Sequence, residues 1–457
     1  MEVRLGDDFA RRAGGDACEA SGSTARELIR ELTQRWPALG DLLLAPRGGL
    51  APRAQVLVNG MDVRLLGGLG AALLPRDRIE IETLSPAPLL PREAERYARQ
   101  IILGEIGPWG QARLGRATVA VVGAGGLGAP AATYLAAAGV GHLRVIDGDV
   151  VERSNLHRQP IHRDRDVGGP KAKSAARALR ELNPDIEVEA VDQYLGAANA
   201  LGLLQDCDLI VNASDNFPTR YLVSDAAVLL GRPLVDASIL RFEGRLMVFL
   251  PRQGCYRCLY PVPPEPGSVP SCGEAGVIGA LGGEIGSLQA LEAVKLITGA
   301  GESLGGQMVV FDALSGARHA FRLPRDPGCP VCGDHPTQLG LVDYEDLCGV
   351  AAPARDAPAL TVSVTDAIAL RGDPRVQWVD VRRQDRGERP TIPGAVRMPL
   401  EALDPEALDR GRPVVLFCDI GRRSLLAAQE LLRRGVPARS LEGGVVAWTA
   451  AGQELDD

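Results

Sequence analysis

The stretch Thr118-Val-Ala-Val-Val122-Gly123-Ala-Gly125-Gly126-Leu-Gly128 decides the fold. Its β-branched run predicts a buried strand, and the glycine cluster predicts a tight turn into a helix running through Pro130 to Ala138. Glycines at such a turn let backbone N–H groups approach a phosphate at the helix N-terminus. Leu143–Ile146 reads as the next parallel strand, ending at Asp147, 19 residues past Gly128. An acid at that place commonly holds a ribose hydroxyl. The unit is a βαβ element of a doubly wound α/β sheet. By itself it suits a nicotinamide oxidoreductase, or a packing turn that holds no ligand.

The downstream residues separate the candidate ligands. Ser154-Asn155-Leu-His-Arg158-Gln159 follows the acidic loop, and Gly168-Gly-Pro170-Lys171 opens a helix to about Leu182. Proline suits a first helical turn. Lys171 is one of only three lysines in a chain that otherwise uses arginine, a hint that a compact ammonium is wanted there. Cys207-Asp-Leu-Ile-Val-Asn-Ala213 is a further buried strand, so Ser214-Asp215-Asn216 falls at a carboxyl end, where such sheets place their ligands. Taken singly, Arg158 and Lys171 read as helix-end charges and Asp215 as a cap. On successive strand-end loops, an asparagine, two cations and a second acid suit a triphosphate with magnesium better than a nicotinamide.

At 457 residues the chain is long enough for two to four domains. Its net charge of -8 excludes a basic nucleic-acid binder. The uncharged stretch from Ala117 to Leu143 is long enough to span a bilayer, but its Gly, Ala and Pro130 fit a strand, turn and helix better. No membrane span or export signal is expected. The odd count of 9 cysteines points to a reducing, cytoplasmic setting with thiol or metal chemistry rather than a disulfide framework.

Two Pro-rich punctuations, Ser85–Pro91 and about Val350–Pro358, read as linkers. The expected domains are 1–90, 91–340 and 358–457, with a linker over 341–357. In the first, Val3–Leu5 is a candidate strand and Thr24-Ala-Arg-Glu27 is a capping-box pattern for a helix carrying Leu28, Ile29, Leu32 and Trp36. Asn59-Gly60 marks a two-residue hairpin, and Arg78–Thr83 alternates as a closing strand. This is a small α+β module.

Cys255-Tyr-Arg-Cys258 and Cys329-Pro-Val-Cys332 are two CxxC knuckles whose four thiolates suit a closed tetrahedral zinc site; a pair of redox dithiols is the alternative. Cys272 lies outside both, in a Gly/Pro-rich loop, while Cys18, Cys207 and Cys348 read as structural. Near the C-terminus, the strand Pro413–Phe417 runs into Cys418-Asp-Ile-Gly421-Arg422-Arg423 and then a helix. A cysteine between a strand end and a helix N-terminus, beside two arginines, is placed to stabilise a thiolate or persulfide. The Gly-Arg-Arg loop argues for an accessible thiol.

Arg96-Tyr-Ala-Arg99-Gln, GAGGLG, IDGDxVExSNLxRQ, GGPKAxSA, SDNxxTR and GSLQALEAVKLITG, in this order, make 93–338 similar to the adenylyltransferases that activate ubiquitin-like sulfur carriers, of the molybdopterin-synthase and thiamine-pathway type. The resemblance implies a Rossmann-like domain binding ATP and Mg2+ through Gly123, Gly125, Gly126, Gly128, Asp147, Asn155, Arg158 and Lys171, with Asp215 aiding magnesium and Asn216 beside it. It implies zinc on the knuckles, and a homodimer in which Arg99 reaches the partner's phosphates. Cys272 matches the thiol that reacts with the carrier in sulfur-mobilising relatives. The first 90 residues resemble β-grasp sulfur carriers, through VxVNGxxVR, but lack the Gly-Gly tail, which fits a docking or regulatory role. From about Leu360 the chain resembles a rhodanese domain whose sulfur-carrying cysteine is Cys418; Asp419 and Pro390-Thr391-Ile392 depart from that pattern.

The expected function is ATP-dependent adenylation of the C-terminal glycine of a carrier ending in Gly-Gly. Sulfur transfer to a thiocarboxylate follows, with a cysteine desulfurase or thiosulfate as donor. The competing reading is adenylation for protein tagging, or a self-inhibited or scaffold protein without sulfur transfer.

Overall fold

The computed structural model describes residues 1–46, 48–85, 89–264, 275–342, 344, 360–382, 390–419 and 421–456. They form two compact units, one with the described residues up to Pro264 and from Val277 to Tyr344, the other with Ala275, Gly276 and those from Leu360 onward. Cys272 and Cys348 lie outside the described residues, as do residues 86–88 of the first expected linker and most of the second.

The first unit holds two sheets. The smaller has strands β1 (Glu2–Leu5), β2 (Ala17–Glu19), β3 (Ala54–Val58), β4 (Met61–Asp62) and β5 (Ile79–Thr83) in the order β2-β1-β5-β3-β4. β1 and β5 run parallel, and the other pairs are antiparallel. Helix Ala25–Arg35 buries Leu28, Ile29 and Leu32 against Val3, Val56, Ile79 and Ile81. Its cap differs in detail from the expected box: Thr24 accepts from Glu27 N, but the Glu27 carboxylate reaches back to Ser23 rather than Thr24. The turn forms as expected, with Val58 opposite Met61 and Asn59 and Gly60 at φ 53° and 85°, the primed turn this pair favours, but the second strand expected over Asp62–Leu65 stops at Asp62 and gives way to the 3-10 helix Val63–Leu66.

The central sheet has strands β6 (Thr118–Val122), β7 (His142–Ile146), β8 (Glu187–Val191), β9 (Leu209–Asn212), β10 (Leu234–Leu240), β11 (Glu243–Phe249), β12 (Gln307–Asp312) and β13 (Ala317–Arg322) in the order β13-β12-β11-β10-β9-β6-β7-β8. β6 to β10 are parallel, and an antiparallel run from β11 to β13 extends the edge. Near-continuous Val, Ile and Leu in β6 and β9 reflect burial on both faces. Helix Gly279–Thr298 packs along helix Gly128–Ala138. Gly279, Gly282 and Gly286 allow this close approach, since a Cβ there would stand 2.4, 2.8 and 2.3 Å from the carbonyls of His157, Gly126 and Leu127.

The small sheet docks at the amino-terminal edge of the parallel strands. Arg113, one turn before β6, donates to the carbonyls of Pro52 (2.6 Å) and Ala54 (3.0 Å). Burial, with Arg64 nearby, pulls the Arg113 guanidinium down to about 10. Arg252, just past β11, donates to both Asp77 carboxylate oxygens at 2.6 and 2.8 Å. Burial pushes the Asp77 carboxyl up, but Arg252, the Leu74 N–H and Asn59 outweigh it and hold the group below its ordinary value.

The second unit is a parallel sheet of β14 (Thr361–Val362), β15 (Gln377–Asp380), β16 (Val396–Arg397), β17 (Val414–Phe417) and β18 (Ala438–Leu441), ordered β14-β18-β17-β15-β16. Helix Arg422–Arg433 buries Ala427, Ala428 and Leu431 on it, and Trp448 fills the other face beside Trp378. No helix among the described residues is long and apolar enough to cross a membrane.

Candidate functional site

The glycine loop joins β6 to helix Gly128–Ala138 at the carboxyl end of the sheet. Gly123 has φ 94°, and a Cβ on Gly128 would stand 1.8 Å from the Gly123 carbonyl, so the turn closes only with glycine at both places. At Gly125 and Gly126 the nearest protein atoms would be 3.6 and 3.5 Å from a Cβ, ordinary contact rather than a clash. Their N–H groups donate to no acceptor among the described residues, as expected at a helix start open to an anion.

Asp147 follows β7 directly. Its carboxylate accepts from the N–H of Ala124 (2.8 Å) and of Asp149 (2.8 Å), one on each oxygen. Each oxygen keeps a lone pair for a hydroxyl donor. Burial pushes the Asp147 carboxyl up, opposed by the Lys171 charge and these two N–H groups. Lys171 begins helix Lys171–Leu182, is itself buried, and pairs with Asp149 at 2.9 Å. Burial pulls its ammonium down, but the charges of Asp147, Asp149 and Asp215 and the hydrogen bond to Asp149 hold it above its ordinary value. Asp149 also accepts from the Tyr194 hydroxyl at 2.6 Å.

Asp215 is exposed at the end of β9. The buried Arg220 holds that strand end: it donates to Asp236 (3.1 Å) and to the carbonyls of Ser214 (2.9 Å) and Ala237 (2.6 Å). Asn216 caps helix Phe217–Leu230, its Oδ1 accepting from Thr219 N at 2.9 Å, so this oxygen is committed to the fold. Asn155 is buried, and Arg158 lies partly exposed against the Ser154 carbonyl (2.9 Å). Arg99 sits exposed in the short helix Ala98–Ile101, with no ion pair among the described residues. The structure thus brings Gly123 to Gly128, Asp147, Lys171 and Asp215 to one strand-end region.

Tyr194 and His162 escape a reading of the sequence, and Asp149 and Gln159 were read only as parts of a motif, without roles of their own. Gln159 Oε1 is buried without a donor among the described residues, beside Gly125. The adjacency of Asp149 to Asp147 was the available signal; the partners of the others lie far along the chain.

The knuckles converge. Sγ separations are 3.9 Å for Cys255–Cys258, 3.6 Å for Cys255–Cys329 and 3.3 Å for Cys258–Cys332, and all four sulfurs lie within 4.8 Å of one another. Tetrahedral zinc with Zn–S near 2.3 Å sets S···S at ~3.8 Å, so the donor set fits that ion. Redox dithiols are not needed to explain the cluster. Cys207 is packed as a core residue, its thiol pushed up to about 11 by burial; Cys18 is half-buried.

In the second unit, Cys418 directly follows β17 and Gly421 leads into helix Arg422–Arg433. The expectation of an accessible thiol is corrected: Cys418 is 1% exposed. Its sulfur accepts from Gly421 N at 3.2 Å and faces Ser424 Oγ at 3.6 Å, while its carbonyl accepts from Val445 N at 2.9 Å, which folds the loop inward. Asp419 is not an isolated anion beside that thiol, because buried Arg382 lies 3.8 Å away and also holds Asp380 at 2.7 Å. Cys272 lies outside the described residues, and Arg422 and Arg423 open the helix.

Comparison with known proteins agrees with this division. The ThiF family model matches residues 97–331 and the rhodanese-like domain model matches 363–451. The sulfur carrier protein adenylyltransferase of Thermus thermophilus is 54% identical, over 56% of this chain and 97% of that protein. The adenylyltransferase and sulfurtransferase MOCS3 is 40% identical in Bos taurus, over 90% of this chain and 98% of that protein, and 42% identical in Mus musculus, over 89% and 98%. A crystal structure of E. coli MccB aligns at TM-score 0.49 and 23% identity, over 55% of this chain and 75% of that one. With the glycine loop, the acid after β7 and the lysine helix inside a match that spans half the chain, the chain belongs to the ThiF family and carries a rhodanese-like domain after it.

Proposed function

We propose that this enzyme, an adenylyltransferase and sulfurtransferase, activates the C-terminal glycine of a ubiquitin-like sulfur-carrier protein ending in Gly-Gly and converts it to a thiocarboxylate. One observation carries the reading: a nucleotide-type site of glycine loop, Asp147, Lys171 and Asp215 shares a chain with a strand-end cysteine cradled at a helix start.

The N–H groups of the glycine loop receive phosphate oxygens, and Asp147 receives the ribose hydroxyls. Asn155, Arg158 and Lys171 flank the phosphates, with Asn216 at the rim. Asp215 would hold magnesium, which would offset the negative charge of the triphosphate. The carrier carboxylate attacks the α-phosphorus, the bond to the β,γ-phosphates breaks, and pyrophosphate leaves. Anion meets anion in this step, so Lys171 and Arg158 lower its barrier, joined by Arg99 from a second copy in a homodimer.

The terminal sulfur of a Cys418 persulfide, loaded by a cysteine desulfurase or thiosulfate, then attacks the acyl carbon and AMP departs. Cys272 attacks the Cys418 sulfur of the resulting acyl disulfide, releases the thiocarboxylate and leaves a Cys272–Cys418 disulfide for a cellular dithiol to reduce. Gly421 N–H and the helix start stabilise the sulfur anion. Zinc on Cys255, Cys258, Cys329 and Cys332 ties two distant segments together and takes no part in the chemistry. The domains are 1–90, a tail-less β-grasp module, 91–340 and 358–457. Free thiols in these roles favour a reducing, cytoplasmic setting, and carriers of molybdopterin or thiamine synthesis are the candidate substrates.

Intact-mass spectrometry of such a carrier, after incubation with ATP, magnesium and thiosulfate, is expected to show one oxygen replaced by sulfur. An adenylate without sulfur gain would favour protein tagging instead. Self-inhibition is disfavoured by the docking of the small sheet at the amino-terminal edge, opposite the glycine loop.

A further inference from the structure

His162 is a buried histidine outside the nucleotide-facing set, 3% exposed. Its Nε2 lies 3.0 Å from the Ala124 carbonyl in the glycine loop, and its Nδ1 lies 3.0 Å from Ser174 Oγ. A carbonyl only accepts, so Nε2 carries the proton. Ser174 belongs to the helix that Lys171 opens, and its hydroxyl donates to Asp166 at 2.9 Å. Asp166 is in turn held by Arg163 N at 2.9 Å and by Arg177. Burial holds the His162 ring below its ordinary value, and the Ser174 oxygen, whose single proton goes to Asp166, packs against Nδ1.

Ala124 is therefore gripped at both ends. Its N–H donates to Asp147 at 2.8 Å and its carbonyl accepts from His162. In a trans peptide the carbonyl and the following N–H point in opposite directions. A carbonyl turned toward His162 turns the Gly125 N–H away from it, to the side where no protein acceptor among the described residues meets it. Glycine at 125 gives this peptide freedom to rotate, so something must hold it.

We propose that His162 is a positioning residue for nucleotide binding: by holding the Ala124 carbonyl it aims the Gly125 N–H at a phosphate oxygen. The proposal rests on the nucleotide reading above.

The test is equilibrium binding of a non-hydrolysable ATP analogue with magnesium to the full chain, with no carrier present. Gln places an N–H donor about where Nε2 stands; Asn is one bond too short, and Leu has no donor. His162→Gln is expected to bind within about 3-fold of the parent, and His162→Leu and His162→Asn at least ~10-fold more weakly. In carrier-dependent ATP–pyrophosphate exchange, KM for ATP is expected to rise in the same two variants while kcat changes less. If Leu does not fold, the Asn-to-Gln comparison decides. Parental affinity in folded His162→Asn or His162→Leu, or equal losses in Gln and Asn, overturns the proposal. Parental binding of the analogue with no carrier-dependent exchange overturns the adenylation reading alone, and no binding by the parent overturns both.

Discussion

Lys171 shows how a single residue acquires its role from its surroundings. A buried ammonium is costly unless paired, and here three carboxylates lie around it while its own helix start supplies the loop. Lys171→Ala leaves Asp147 buried with its nearest cation gone, and is expected to abolish carrier-stimulated exchange and lower stability by about 2 kcal/mol, read by pyrophosphate exchange and thermal unfolding. Asp215→Ala should also abolish exchange, yet leave stability within ~0.5 kcal/mol because the side chain is exposed. Cys418→Ser should remove cyanide-labile sulfur after incubation with thiosulfate while exchange persists. Lys171, Asp147 and Cys418 stand out in the sequence because their positions follow from strand ends and turn glycines. His162 and Tyr194 do not, because a polar residue's value here comes from a partner that only the folded chain brings near. The burial of Cys418 was illegible for the same reason: Val445 and Ser424 close over a loop whose arginines suggest exposure.

At the scale of elements, period and punctuation were enough wherever one strand met one turn. The turn at Asn59-Gly60, strand β6 and helix Lys171–Leu182 could be read directly. Helix Asp7–Ala13, strand β2 and the antiparallel run from β11 to β13 could not, since short or half-exposed segments lack a decisive period. The turn itself permits a stringent test. Gly128→Ala would force a Cβ to 1.8 Å from the Gly123 carbonyl, so the loop must open; a loss of about 3 kcal/mol and of nucleotide binding is expected in calorimetry. The knuckles are a second test. Metal analysis should find one zinc per chain, and Cys329→Ser should lose it and lower the unfolding temperature, because a three-thiolate remnant no longer ties β11 to the segment after β13.

For the whole molecule, the attachment of the small sheet is electrostatic at its rim. Asp77 is held below its ordinary carboxyl value in the folded chain, so its pairing with Arg252 stabilises fully above the unfolded value near 3.8 and is lost as pH falls through the lower folded one. Arg252→Ala, which leaves Asp77 buried and unpaired, is expected to cost about 2 kcal/mol at pH 7 and to shrink the acid-side loss of stability, measured by urea unfolding at several pH values. Helix Gly279–Thr298 has 20 residues and so spans ~30 Å, with its glycine seam against the nucleotide loop at one end and Gly299 beside Arg64 of the small sheet at the other. The small module is held at the far end of that span, its chain running on through Ser85, whose carbonyl Arg116 grips at 2.7 Å. On the proposed reaction, a module kept there is not the substrate. One enzyme molecule then turns over many carriers in succession, and its steady-state rate should saturate with carrier concentration rather than stop after a single equivalent.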